Sequence, residues 1–255
     1  MDFTKILLSL RALFPASPLV KKESIPMTVM ILSPHPDDES IVGSLALRLQ
    51  QENNAHIVNV AVTMGSKKDR QKTRLKELTE ACRLLDMELV TLPDDWTQKK
   101  KELKSLIQKY QPQLIIAPHL KDHHPTHIRT GQLLHKVTDA KSHYLVAWSE
   151  FWAPLDKPNA LVEVPEELLA LQMEALSRHV GEVERNPYHL RLPAWMMDNV
   201  RRGSEVIAGK GAEAAQFPYG VLYQLQTVKK GKFKDLKLET PVLSHLADLG
   251  EILRF

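Results

Sequence analysis

Met27-Thr28-Val29-Met30-Ile31-Leu32-Ser33 runs without a break into Pro34-His35-Pro36-Asp37-Asp38-Glu39. From Met27 to Leu32 only Thr28 is polar, so neither of the two alternating faces is left for water. That is the pattern of a strand buried on both sides of its sheet. The next six residues are polar or turn-forming and stand where the strand ends, and a helical pattern follows over residues 40–51. A doubly buried strand, a polar corner and then a helix is the opening unit of a parallel α/β sheet.

The same rhythm continues down the chain. A valine-rich strand is expected at 56–63, an amphipathic helix at 70–85 and a short strand at 88–92. A helix follows at 97–110, with Leu103, Leu106 and Ile107 on one face, then a strand at 113–117, a helix at 126–140 and a strand at 144–148. This alternation predicts a Rossmann-like three-layer α/β sandwich with a mostly parallel sheet, whose ligand sits outside the carboxyl ends of the strands. Beyond Trp152, prolines 154, 158 and 165 divide the chain into turns. A short strand at 161–164, a helix at 166–179, a polar glycine-containing helical stretch and a strand at 220–226 are expected there. We read residues 1–26 as an N-terminal extension with a short amphipathic helix, 27–228 as the catalytic domain and 229–255 as an appendage.

Composition narrows the class. The chain has 255 residues, 43% hydrophobic and 25% charged, enough to bury the core of one generous domain. A net charge of +3, with the basic residues scattered, argues against nucleic acid. The lysines at 99–101 read as a solvated helix face. Cys82 is the only cysteine, so no intrachain disulfide can form. Its place among Leu78, Ala81 and Leu85 predicts a buried helix face and no nucleophile. No stretch reaches the length of a membrane span. The apolar segment at 6–10 is interrupted by Arg11 and lacks a small-residue cleavage site, which disfavours a signal peptide. A reduced, cytoplasmic compartment is expected, with a small-molecule substrate and room for a homo-oligomer.

Two polar clusters follow predicted strands. The first is Pro34 to Glu39. The second is His119-Leu120-Lys121-Asp122-His123-His124-Pro125-Thr126-His127. If their strands are parallel, both clusters emerge at one edge of the sheet. Each alone reads as a turn, a pair of capping aspartates or solvated histidines. Together at one edge they offer histidine and carboxylate without thiolate, the donor set of a catalytic zinc with three protein ligands and an open fourth position. His35 and Asp38 are three apart across a turn. His124 and His127 are three apart as well, with Pro125 suited to the first helical position, which makes His124 the N-cap residue.

Pro-His-Pro-Asp-Asp-Glu at 34–39, followed by His-Pro-x-His at 124–127, resembles the PIG-L/LmbE-like de-N-acetylases. These are zinc enzymes that remove acetyl groups from N-acetylglucosaminyl conjugates of phosphatidylinositol, inositol or malate and from chito-oligosaccharides. The first motif is highly specific for that family when it closes an N-terminal strand. The resemblance extends to Thr63 and Gly65, to Arg74, Glu77 and Ala81, and more faintly to 174–179 and 201–211, covering about 27–226. It implies His35, Asp38 and His127 as metal ligands for Zn2+, with Fe2+ as the alternative. It further implies Asp37 as general base, His124 facing the substrate carbonyl, and Arg74 contacting substrate. The chain departs from the pattern at Thr126, where an aspartate commonly partners the first histidine and for which Asp122 is the candidate substitute. Val180-Gly181 replaces a Ser-Gln after the second-half helix, and Asp86 a glycine.

The expected function is removal of acetyl from an N-acetylated amino-sugar conjugate by a metal-activated water. Asp37 would take the proton, and His124, if protonated, would stabilise the oxyanion. The alternatives are a metal-dependent phosphoesterase built on Asp37, Asp38 and Glu39, and a degenerate binding member of the fold. An anionic group on the substrate, read by Arg74 with Arg201 and Arg202 in the second half, is a further expectation.

Overall fold

The run after Met27 forms β1 (Thr28–Ser33), and four similar runs form β2 (His56–Ala61), β3 (Glu88–Thr91), β4 (Leu114–Pro118) and β5 (His143–Ser149). This is a computed structural model, and it describes residues 3–5 and 17–254. Between these strands lie α1 (Asp38–Val42), α2 (Ser44–Asn53), α3 (Lys68–Leu84), α4 (Trp96–Tyr110) and α5 (Pro125–Val137). The second half adds β6 (Ala160–Glu163), α6 (Glu166–Ser177), α7 (Val180–Val183), α8 (Tyr188–Ala208) and β7 (Gly220–Lys229). It closes with β8 (Lys232–Asp235), β9 (Val242–Leu243) and α9 (Leu249–Ile252).

Among the described residues the strands form one nine-stranded sheet in the order β3-β2-β1-β4-β5-β7-β6-β9, with β8 paired to β7. Strands β3 to β5 along that path are all parallel, with Val29 opposite both Ile57 and Leu114. Strand β7 runs antiparallel to β5, β6 and β8, so the sheet is mixed: mostly parallel, with antiparallel pairing beyond β5. Alternation along β1 sends Val29 and Ile31 into one core and Met30 and Leu32 into the other. Leu78 of α3 and Leu169 of α6 pack in the first core, Leu103 of α4 and Leu134 of α5 in the second, so helices cover both faces.

The expected helix at 40–51 is two helices. It begins two residues earlier, at Asp38, and breaks at Gly43, where a Cβ would lie 2.3 Å from the carbonyl oxygen of Glu39. That close approach admits no side chain. Beyond β7 the chain returns to the body. Leu243, Leu249 and Leu253 are buried, and the fully buried Arg48 pairs with Glu52 at 2.7 Å and donates to the carbonyls of Leu243 and Ser244. Cys82 is buried as expected, and burial pushes its thiol up to about 12, which leaves it inert. Phe3 is buried with its ring edge-on to His189; most of the expected N-terminal helix lies outside the described residues. No helix among the described residues is long and apolar enough to cross a membrane.

These pairings place the site. Strand β1 lies between β2 and β4, so the chain leaves it toward one side for β2 and later crosses to the other for β4. Crevices form at such switch points, outside the carboxyl ends. Ser33 ends β1 and Pro118 ends β4, and the two polar clusters emerge there side by side.

Candidate metal centre and cleft

Asp38 is the hub. Its Oδ2 lies 3.4 Å from His35 Nδ1 and 3.5 Å from His127 Nε2. Ligands bound tetrahedrally at roughly 2.1 Å stand roughly 3.4 Å apart, so both separations are those of a zinc coordination edge. His127 Nε2 is buried and has no hydrogen-bond partner. An orphaned buried nitrogen is costly unless something fills its lone pair. The other nitrogen of that ring, Nδ1, faces Asp122 Oδ2 at 3.5 Å. That arrangement keeps the proton on Nδ1 and turns the Nε2 lone pair toward Asp38. Burial pushes the Asp38 carboxyl up, yet His127 and His35 together hold it down at about 2. Burial lowers His127 while Asp38 and Asp122 raise it, and the net direction is upward.

His124 completes a second possible ligand set, since donor atoms of His35, His124 and His127 all lie within 4.8 Å of one another. Its local chemistry favours another role. His124 is the N-cap of α5, as the proline spacing predicts, and its Nδ1 accepts from the backbone N–H of Thr126 at 3.3 Å. Burial, with His35 and His127 beside it, lowers its pKa. A neutral ring whose Nδ1 is already an acceptor carries its hydrogen on Nε2 and has no lone pair left for a metal. With Nδ1 so occupied, the neutral form of His124 has only an Nε2–H to offer. His35 and His127 are common to both sets, with Asp38 or His124 in the third place.

Asp37, next to the hub, points elsewhere. It has φ +117°, a conformation that a residue with a side chain rarely adopts. Its N–H donates to Glu39 Oε2 at 3.0 Å, and its carbonyl accepts from Ser40 and Ile41 at the start of α1. This strained corner lets consecutive carboxylates diverge, one to the histidines and one to the open cleft. Burial, with Asp38 and Glu39 close by, raises the Asp37 carboxyl well above its ordinary range. Glu39 is fully buried and accepts from Ser40 Oγ at 2.7 Å, and its Oε1 meets His179 Nε2 at 2.8 Å. Burial works against its charge, but His179 and these hydrogen bonds hold the carboxyl below its usual value.

Glu39 and His179 are thus the brace behind Asp37, and the sequence did not assign them that role. Glu39→Ala leaves His179 buried without its partner, a loss that costs about 3–5 kcal/mol for a buried pair. The melting temperature should fall by about 6–20 °C at 2–4 °C per kcal/mol for a domain of this size. Calorimetry of that variant beside Asp37→Asn, which keeps the brace, checks the assignment; an equal, small shift in both would refute it.

Residues 30–138 match the family model of PIG-L, the GlcNAc-PI de-N-acetylases, and that span holds every residue placed at the centre so far except His179. The match covers 109 of the chain's 255 residues, within its parallel α/β half. Solved structures agree on the fold. N,N'-diacetylchitobiose deacetylase from Pyrococcus horikoshii, complexed with its inhibitor MPG, superposes with a TM-score of 0.61 at 20% identity, covering 80% of this chain and 84% of that one. GalB, the 4-carboxy-2-hydroxymuconate hydratase from Pseudomonas putida KT2440, gives 0.61 at 15% identity over 78% and 95%. The zinc-inhibited form of teicoplanin deacetylase Orf2 gives 0.58 at 15% over 78% and 98%. At these identities the likeness is one of fold. No curated protein matches the chain.

A cleft of about 620 Å³ opens at the centre, lined by His35, Asp37, Asp38 and His124 from the matched segment and walled by Trp96 and by Trp152 and Tyr188 from beyond it. Arg74 lines it too, with both terminal nitrogens of its guanidinium engaged and Nε buried without a partner. Nη2 lies 3.1 Å from Glu182, and the fork donates to the carbonyls of Met64 and Pro36 at 3.4 Å. Glu182 is buried and also pairs with Arg70 and Arg185. Arg74 therefore anchors the loop that carries Asp37. Gly65 serves the same anchor: at φ +82° its missing Cβ would lie 2.0 Å from Arg74 Nη1. Thr63 Oγ1 donates to the carbonyl of Pro34 at 2.8 Å from the neighbouring strand end. Arg201 and Arg202 are engaged by Asp198 and Glu150 and do not line the cleft. Where the family pattern has an aspartate, Thr126 supplies only its N–H to His124. Asp122 accepts from the backbone N–H of His124 at 2.7 Å, and the ring it faces is that of His127.

Proposed function

We propose that the protein is a metal-dependent hydrolase that removes the acetyl group from an N-acetylated amino-sugar conjugate. The observation that carries this reading is the placing of Asp38 Oδ2 between His35 Nδ1 and the orphaned His127 Nε2, with Asp37 beside it on an open cleft. The family supplies the substrate class: its model is that of the GlcNAc-PI de-N-acetylases.

His35, Asp38 and His127 would hold the ion, zinc or ferrous iron. When bound, such an ion acidifies water by several pK units and polarises a carbonyl oxygen. The protein's own groups do the rest. Asp37 takes a proton from the water that attacks the acetamide carbon and passes it to the departing amine nitrogen, so that amide and water become acetate and amine. His124 Nε2–H donates to the carbonyl oxygen as it gains negative charge; such a donor is worth about 3–4 kcal/mol of barrier. Asp122 keeps His127 in its tautomer, and the Thr126 N–H keeps His124 in its own. Trp152 and Tyr188, on one wall of the cleft, offer apolar faces on which a sugar ring can rest.

A fold does not fix its chemistry: a hydratase shares this one at the same TM-score as a deacetylase. Acetate release is therefore the discriminating readout. Purified protein incubated with N-acetylglucosamine, its oligosaccharides and its inositol-type conjugates should release acetate from at least one. Chelation should abolish that release, and stoichiometric metal should restore it. Since teicoplanin deacetylase has a zinc-inhibited form, each metal is to be added singly and without excess. Metal-replete protein inactive on every N-acetyl substrate would overturn the reading.

A further inference from the structure

A second groove, of about 240 Å³, lies beside the cleft and shares Trp96 and Arg129 with it. Its walls are two helix stripes. Trp96, Thr97 and Lys100 come from the first turns of α4, and Arg129, Gln132, Leu133 and Lys136 come from α5 at helical spacing. Three of these seven side chains are cations, and no aspartate or glutamate lines the groove.

Several cations elsewhere in the domain are paired with carboxylates. Lys104 pairs with Asp139, Lys121 with Asp156, Arg70, Arg74 and Arg185 with Glu182, and Arg201 and Arg202 with Asp198. Among the described residues Lys100, Arg129 and Lys136 form no ion pair. Arg129 is nonetheless held in place, its guanidinium 3.9 Å from the centre of the Trp96 ring. Stacking fixes the plane of the fork and leaves its N–H groups free for an acceptor. Three exposed like charges on one groove with no carboxylate in its lining give it a positive potential that an anion would relieve.

We infer that this groove is an anion site for a phosphate-bearing ligand. The fixed guanidinium supplies two parallel donors, and Lys100 and Lys136 add charge from either side. Thr97 and Gln132 contribute neutral polar groups, while Trp96 and Leu133 give an apolar floor. Because the groove abuts the cleft across the Trp96–Arg129 pair, the phosphate has two possible sources: the molecule whose acetamide enters the cleft, or a separate free anion. The first rests on the deacetylase reading; the site itself does not.

The test uses the full chain, labelled with nitrogen-15 and titrated with inorganic phosphate at low ionic strength. Saturable shifts are expected at the amides of Thr97, Lys100 and Gln132 and at the Trp96 indole N–H. The double variant Lys100→Gln/Lys136→Gln should weaken binding about ten-fold. No shift at those positions, or the same titration in the variant, overturns the site without touching the deacetylase reading. A second arm assigns the source. If the variant raises KM for a phosphate-bearing N-acetyl amino sugar about ten-fold while the neutral sugar changes at most two-fold, the phosphate belongs to the substrate. Equal KM changes for both sugars, with phosphate binding still lost, assign the site to a free anion.

Discussion

Asp37→Asn is expected to keep its metal and its fold while kcat falls by a factor of roughly 10²–10⁴, the contribution of a general base. The prediction follows from the divergence of two adjacent carboxylates. Asp38 Oδ2 is shared between His35 and His127, whereas Asp37 lines the open cleft. Removing the charge of Asp37 takes away a proton acceptor and no metal ligand. The fold should tolerate the change because asparagine is, with aspartate, among the side-chain-bearing residues that best accept a positive φ such as the +117° seen here. The Asp37 N–H bond to Glu39 does not involve the altered side chain. Activity and metal content are to be measured on one preparation. A variant that loses metal would mean that the two aspartates have been assigned in reverse.

The parallel half of the fold was readable because its strands are doubly buried and its helices amphipathic, so two periods alternate visibly from Met27 to Ser149. Both polar clusters were legible for the same reason, since each directly follows a strand that the pattern identifies. The His124–Pro125 step even announced the N-cap that fixes the tautomer of His124. What escaped notice depends on contacts between distant segments. Glu39 and His179 meet across 140 positions, and nothing near either residue foretells it. Arg74 was visible as an arginine near a strand end, but Glu182, which commits its guanidinium to holding a loop, comes from the second half. Strand β7 was expected at 220–226, but its antiparallel pairing was not, and the short strands β8 and β9 after it were not expected at all; their partners are set by the sheet edge they meet. The basic groove was invisible in sequence, because Lys100 and Lys136 become neighbours only when α4 and α5 pack together.

The ligand set carries the largest expected effect. Alanine at His35, Asp38 or His127 removes one of three protein ligands, and a catalytic site with two does not retain its ion through purification. Asp122→Asn acts one step further out, on the orientation of His127, and should weaken binding only about 10–100-fold. His124→Ala separates the two possible ligand sets: if its Nδ1 is occupied by Thr126 as described, the variant keeps its metal and loses rate. The fold should survive in all of these, since the sheet and both cores lie beneath the site.

Metal stoichiometry by elemental mass spectrometry, on folded wild-type protein and on the His35→Ala, Asp38→Ala, His127→Ala and His124→Ala variants, tests the account most directly. About one divalent ion per chain in the wild type and in His124→Ala, with little or none in the other three, is the predicted result. Metal retained by Asp38→Ala but lost from His124→Ala would contradict it, and so would a folded wild-type protein that binds no metal at all.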